Sequence, residues 1–328
     1  MMKVLVVGLG SIGQRHTRLL AAQGEYVVDA CDELPAARER LGDLAINKFF
    51  SSYKEALQSK PDVVFLCSPT PYHVAHVMTA LEAGCHVFCE KPLTYSLAEG
   101  NKLLERMHGS DRHVNIGFHL HFHKGLMEMK RIIGEGLIGE VLQVDARVGT
   151  YITLKNSVTR YQREQKGSLF GDYTHQFDLL YWLTGRKPEK MLVLAAEREG
   201  VELSSDPNIA DILFRFRDPM QAHIHLNYIQ MPQRHLYEIT GTKGWLFLDA
   251  DHMYMDIGLS IDQSSVRVSF EQERDDIYKA EHRCFFDAIA AGARQETTVE
   301  DAMVSTAMYE TAMGAYRSGN WQEIVYAL

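Results

Sequence analysis

Two groups of ionisable residues in this chain could do chemistry. The first is Glu90-Lys91-Pro92, placed directly after the apolar run His86-Val87-Phe88-Cys89. Charged side chains are rarely buried without a partner, yet the carboxyl ends of strands in an open α/β sheet form a ligand crevice. A lysine ending such a strand can face a substrate, and the proline beside it holds Lys91 extended. The second group is Asp172 and His175, three residues apart and so on one helical face, with Asp178 three further on and nearly aligned. General acid–base chemistry is best served by a group with a pKa near the working pH. Imidazole titrates closest to neutrality. His175 is therefore the first choice of base, with Asp172 orienting its ring or binding substrate. The plainer reading of this spacing is a packing histidine with a capping aspartate.

The N-terminus offers a place for a dinucleotide. Val4-Leu5-Val6-Val7 reads as a buried strand and runs straight into Gly8-Leu9-Gly10-Ser11-Ile12-Gly13 and a helix. In such a turn Gly8 permits the tight bend, Gly10 lets backbone approach a pyrophosphate, and Gly13 allows close helix–strand packing. The N–H groups at Ser11 and Ile12 open the helix and favour phosphate. A second apolar run, Tyr26 to Cys31, ends at Asp32, about twenty residues on, where an acid should accept the adenosine ribose hydroxyls. A 2′-phosphate beside that carboxylate would cost up to about 4 kcal/mol per unit charge at 4 Å and an effective dielectric near 20, before screening. No arginine follows Asp32 directly, and Arg38 stands a helical turn or two away. NAD is favoured over NADP.

The elements around these residues change character along the chain. Strands read at Lys3–Val7, Tyr26–Cys31, Ala45–Phe49, Val63–Cys67, His86–Cys89 and Val114–Gly117. Helices read at Ile12–Ala22, Pro35–Leu41, Tyr53–Gln58, Tyr72–Ala83 and Leu97–His108. That alternation predicts an α/β domain over residues 1–120, a doubly wound parallel sheet with right-handed crossovers. Residues 121–328 read as an α+β domain with a large open, mainly antiparallel sheet. Its helices are expected at Leu126–Ile133, about Asp172 to Leu183, Ile277–Ala291 and Val299–Tyr316, with the last two free to pack back on the first domain. Its strands are expected at Val141–Thr150, Met191–Glu197, Ile209–Phe216, Ala222–Tyr228, Leu236–Thr240 and Trp245–Asp249. In the second domain Gln221 to Leu226 alternates polar and apolar, and Ile224, Leu226 and Tyr228 are expected on a face that pairs subunits into a homodimer or homotetramer.

Composition sets outer bounds. The 328 residues allow two domains, and a net charge of −9 argues against a nucleic-acid partner, which needs a basic face. No apolar run approaches the roughly 20 residues that span a membrane, and no membrane partner is expected. Five cysteines with no metal-ligand spacing read as reduced apolar filler in a cytoplasmic protein. His119, His121 and His123 alternate and would face one side if extended, but no acid or thiol at matching spacing makes a metal site of them. Tyr151, Lys155, Arg160, Tyr161 and Arg163 lie in a polar stretch that either lines a site, holding a carboxylate or phosphate, or is a solvated loop.

Taken together, the glycine turn, Glu90-Lys91-Pro92 and the Asp172–His175 segment resemble the Gfo/Idh/MocA oxidoreductases over nearly the whole chain. Ser68-Pro69-Thr70-Pro71-Tyr72-His73, Ala80 to Val87 and Gly167 to Gly185 match the same pattern. The resemblance implies a Rossmann domain, a second domain with an open sheet, bound NAD or NADP, and redox chemistry on sugars, cyclitols or related compounds. It adds Ser68, Pro69, Thr70, His73, Glu90 and Lys91 to the cofactor-binding set of Gly8, Gly10, Ser11, Ile12, Gly13 and Asp32. It makes Lys91, His175 and Asp172 the catalytic set, with Lys91 positioning and polarising the reacting oxygen and His175 the base. Substrate contacts fall to His121, Tyr151, Arg160, Tyr161, Asp172 and His175.

Three departures stand out. His121 replaces the arginine of the family's Gly-Tyr-Asn-x-Arg-Phe stretch. Lys166-Gly167-Ser168 replaces a triple glycine. The acid lies three residues before His175 rather than the four of inositol dehydrogenases, a version resembling members of nucleotide-sugar and nonulosonic acid pathways. The expected function is NAD-dependent hydride transfer with a sugar, cyclitol or nucleotide-sugar-like substrate. The alternatives are a dinucleotide-binding regulator without turnover, or a redox-cycling glycosidase or epimerase.

Overall fold

The computed structural model describes residues 1–151, 153, 155, 165–200, 205–261 and 263–326. The chain divides into two compact units, Met1–His119 with Arg274–Met303, and Leu120–Glu273 with Val304–Leu328. The expected boundary after residue 120 had left the final helices open.

The first unit alternates strand and helix: β1 (Met2–Val7), α1 (Ser11–Gln23), β2 (Tyr26–Cys31), β3 (Lys48–Phe50), α2 (Tyr53–Gln58), β4 (Val63–Leu66), α3 (His73–Glu82), β5 (His86–Glu90), α4 (Leu97–Met107) and β6 (Val114–Gly117). All six strands are parallel, in the order β3-β2-β1-β4-β5-β6. Strand order reverses between β1 and β4, and the carboxyl ends of strands at such a point open a crevice. The strands are apolar because helices cover both faces: β4 is buried throughout, and Phe65 stacks on Phe88 at 4.6 Å. Residues 35–41, expected as a helix, form a 3-10 helix opened by Pro35.

The second unit begins with α5 (Lys124–Gly134) and β7 (Val141–Gly149), continues through α6 (Ser168–Asp172) and α7 (Thr174–Thr184), and then runs into strands. These are β8 (Lys190–Ala196), β9 (Ile209–Arg215), β10 (Gln221–Asn227), β11 (Arg234–Gly241), β12 (Gly244–Asp249), β13 (Tyr254–Leu259) and β14 (Ser264–Ser269). With β15 (Gln322–Glu323) they form a nine-stranded sheet, β14-β13-β12-β11-β7-β10-β9-β8-β15, antiparallel except at β7–β10. The sequence pattern did not announce β13 and β14. Edge strand β14 buries none of its residues, so it carries no apolar periodicity to read.

One face of this sheet packs on helices, with α5 close enough to β12 that a Cβ on Gly125 would lie 2.6 Å from Leu248. That face holds Ile224, Leu226 and Tyr228, at most 1% exposed. The expectation that they pair subunits is therefore corrected: they fill this unit's own core. The opposite face carries His223, His225 and Asp211, together with the exposed Leu194, Leu213 and Trp245.

Helix α8 (Arg274–Ala291) belongs to the first unit, while α9 (Val299–Ser318) is divided, through Met303 with the first and from Val304 with the second. On α8, Glu281 is 1% exposed and neither carboxyl oxygen has a hydrogen-bond partner among the described residues. Burial, reinforced by Glu90, pushes its pKa well up. The folded state thus holds a proton that the unfolded chain releases above a pKa of about 4.3, and Glu281 weakens the fold increasingly as pH rises past that value. Glu281→Gln, a neutral isostere, should raise the thermal midpoint at about pH 8 and change it little at about pH 4. Equal effects at both pH values in thermal melts would contradict a buried protonated carboxyl.

Candidate functional site

The turn between β1 and α1 is shaped by what cannot fit there. Gly8 has φ +88°, and a Cβ on it would lie 2.7 Å from the Cys67 backbone at the end of β4. A Cβ on Gly13 would lie 1.8 Å from the Gly8 carbonyl oxygen, so only glycine lets α1 approach its own entry turn. Around Gly10 there is open space. Helix α1 has no side-chain cap at Gly10 and no acid in its first turn, so no capping side chain occupies its first N–H groups. A backbone cradle with open space at Gly10 and an acid-free helix end fits the pyrophosphate of a dinucleotide.

Asp32 stands beside this turn, as its position after β2 implied. Its Oδ2 accepts the Leu9 N–H at 2.7 Å and its Oδ1 the Leu34 N–H at 2.9 Å. Arg40 donates through Nη1 to the Leu9 carbonyl at 3.3 Å. The sequence reading weighed Arg38, which instead bonds Gly42, and it missed Arg40 because a 31-residue separation carries no local signal.

Past β4, Ser68, Pro69 and Thr70 enter a short 3-10 turn over Thr70–Tyr72, with the Ser68 hydroxyl 3.1 Å from His76 Nδ1. His73, expected to meet cofactor, packs between two loops. Its Nδ1 is 2.8 Å from the Pro92 carbonyl and its Nε2 2.6 Å from the Ser68 carbonyl. The ring is 1% exposed, and burial lowers its pKa, so the neutral ring lies between the two loops and donates to one of these carbonyls. Glu90 also turns inward: Oε2 accepts the Lys91 backbone N–H at 3.2 Å and Oε1 bonds His16 Nε2 at 2.9 Å. Both oxygens of Glu90, expected in the cofactor-binding set, are thus engaged by the Lys91 backbone and by α1. Lys91 itself is half-buried at the carboxyl end of β5.

In the second unit the expected single helix is broken at Tyr173 (φ −94°, ψ 23°), leaving Asp172 as the last residue of α6 and His175 in the first turn of α7. Asp172 Oδ2 accepts the Tyr228 hydroxyl at 2.5 Å. Tyr228 immediately follows β10, 56 residues on, and was not visible to spacing arguments. His175 is buried on α7, and Asp178 accepts from His121 Nε2 at 2.7 Å. Tyr151 is buried just after β7, its N–H donating to Gln230. Arg160, Tyr161 and Arg163 lie outside the described residues.

The three alternating histidines do not share a face, because residues 119–122 form a 3-10 turn rather than a strand. His119 stacks on Tyr278 at 4.7 Å, and burial, then the Lys91 cation, drives its pKa far down. His121 leaves 2% of its side chain exposed, held between Asp178 and the stacked Trp182. His121, expected among substrate contacts, thus also has a packing role in this unit. His123 caps α5 by accepting the Leu126 N–H. Among the described residues no three His, Cys, Asp or Glu side chains are grouped to hold a metal ion.

Comparison with known proteins agrees with this geometry. Residues 2–118 match an oxidoreductase family with an NAD-binding Rossmann fold, and residues 126–247 match the GFO/IDH/MocA C-terminal domain. The chain is 28% identical over 298 residues to an inositol 2-dehydrogenase of Salmonella typhimurium, covering 89% of this chain and 87% of that one. It is 27% identical to a myo-inositol 2-dehydrogenase of Thermotoga maritima, covering 93% of each. Its fold matches that of scyllo-inositol dehydrogenase from Lactobacillus casei with bound NAD(H) and scyllo-inositol, with a TM-score of 0.86, 21% identity and 99% of each chain covered.

The position of Asp32 makes a direct prediction. Asp32→Ala should weaken NAD binding and shift the NAD-to-NADP affinity ratio about tenfold or more toward NADP, since both ribose acceptor and like charge are removed. Fluorescence titration with NADH and NADPH measures the ratio; an unchanged ratio would exclude Asp32 from cofactor choice.

Proposed function

We propose that this chain, which belongs to the Gfo/Idh/MocA oxidoreductases, is an NAD-dependent dehydrogenase acting on a CH–OH group of a cyclitol, sugar or nucleotide-sugar-like polyol. The observation that carries the reading is the glycine turn at the β1/β4 reversal, with its open cradle, its acid-free helix end and Asp32 alongside. Inositol dehydrogenases among its relatives support the substrate class.

In this reading the backbone from Gly8 to Gly13 and the N-terminus of α1 hold the pyrophosphate, and Asp32 accepts the ribose hydroxyls. The turn from Ser68 to Thr70 borders the same crevice. Bound NAD supplies the hydride acceptor. Lys91, its backbone pinned by Glu90, presents a cation that positions and polarises the reacting oxygen. His175 takes the hydroxyl proton on an imidazole nitrogen, and in the reverse direction returns it. Asp172, its carboxylate held by the Tyr228 hydroxyl, supports the substrate side of this exchange.

The reading includes a reducing, cytoplasmic setting. All five cysteines are free, and burial pushes the Cys31 thiol to about 12 and Cys85 to about 11, which leaves them poor nucleophiles. No helix is long and apolar enough to cross a membrane. It also includes a homo-oligomer built on the sheet face that carries Leu194, Leu213 and Trp245.

Two measurements test these statements. NADH formation across a panel of cyclitols and sugars should identify a substrate, and Lys91→Ala and His175→Ala should each lower kcat by about 100-fold or more. Undiminished turnover in both variants would remove these residues from the reaction. Light scattering at micromolar protein should give a mass at least twice that of the chain; a monomer would end the oligomer assignment.

A further inference from the structure

Behind Lys91 the first unit buries a chain of three ionisable side chains, of which the reading above uses only Glu90. Glu90 Oε1 lies 2.9 Å from His16 Nε2, and His16 Nδ1 lies 2.7 Å from His282 Nε2. His16 stands on α1, just beyond the glycine turn, and His282 on α8. Both rings are fully buried, and Glu90 is 7% exposed. His16 is boxed by the rings of Phe65, Phe88 and Tyr278 as well as His282.

The direction of these hydrogen bonds can be deduced. A carboxylate only accepts, and a neutral imidazole has one donor and one acceptor nitrogen. If His16 donates to Glu90 from Nε2, its Nδ1 must accept, and His282 must donate from Nε2. His282 Nδ1 is then a bare lone pair, and no described residue bonds it. In the reverse sense a protonated Glu90 would donate to His16, His16 to His282, and a buried Nδ1–H on His282 would be left with no acceptor. An unanswered buried donor is the costlier end. Burial also drives the pKa of His282 well down, which keeps its ring neutral and limits it to one N–H. The arrow therefore runs from His282 through His16 to Glu90.

We propose that His282, acting through His16, holds Glu90 as an acceptor clamped on the Lys91 backbone N–H, so that His16 and His282 are positioning residues for Lys91. This rests on the dehydrogenase reading, in which Lys91 must be placed against the reacting oxygen. Without the His282 donor, His16 is no longer obliged to present Nε2–H to Glu90. The carboxylate then loses its buried donor, and the backbone it holds is released.

The chain can be tested in two ways. In 15N-histidine-labelled protein, long-range 15N–1H correlation spectra near neutral pH should show both His16 and His282 as neutral Nε2–H tautomers. An Nδ1–H tautomer at His282, or an imidazolium there, would overturn the proposal. In turnover with NAD and the most active polyol, His282→Leu, which keeps the bulk and removes the donor, should lower kcat about tenfold or more, with the KM values and the NADH dissociation constant little changed, as expected when a reacting group is displaced. His282→Gln restores an amide donor and should recover most of the loss. Full kcat in His282→Leu, or equal losses in both variants, would reduce His282 to a packing residue. If no polyol or sugar reduces NAD in the unaltered protein, the dehydrogenase reading falls, while the tautomer measurement still decides the direction of the chain.

Discussion

A carboxylate taken out of water must find donors, and Glu90 is taken out of water at the end of β5. That constraint ties together elements far apart in sequence. Its two oxygens are met by the Lys91 backbone and by His16, which brings in α1 and, through His282, α8. The helix that opens at the glycine turn and the lysine at the end of β5 are thereby joined through one buried polar chain inside an aromatic box. The box makes the chain exacting, because hydrogen bonds in an apolar surround are strong when complete and costly when one member is missing.

Backbone proximity supplies the second constraint on this unit. Gly13 touches the carbonyl of Gly8, and Gly8 touches the backbone at the end of β4, so strand, turn and helix meet with no room for a Cβ. The same compression that excludes side chains leaves backbone N–H groups at the mouth of the crevice, where an anion can reach them. His73 extends the bracing by linking the loop after β4 to the loop after β5.

In the second unit the site residues are organised by different partners from those that spacing suggested. Asp172, His175 and Asp178 read as one helical stripe, but the break at Tyr173 separates Asp172, which is then held by Tyr228 just past β10. Asp178 serves His121. His121 and Asp178 thus form a buried pair within this unit.

The parallel sheet, the glycine turn, Asp32 after β2 and Lys91 after β5 were legible in sequence, because each rests on local rules: apolar runs for covered strands, glycine where a Cβ cannot fit, an acid at a strand end. Edge strand β14 was not, since a strand that buries nothing has no pattern to display. Nor were Arg40 beside Leu9, Tyr228 on Asp172, or the face of β10 that the core takes, all of which depend on which elements become neighbours. The sequence by itself determined the residue types available for dinucleotide binding and acid–base chemistry. Only the tertiary structure decided their partners and orientations, because hydrogen-bond partners of buried groups are chosen by packing across long separations and not by spacing along the chain.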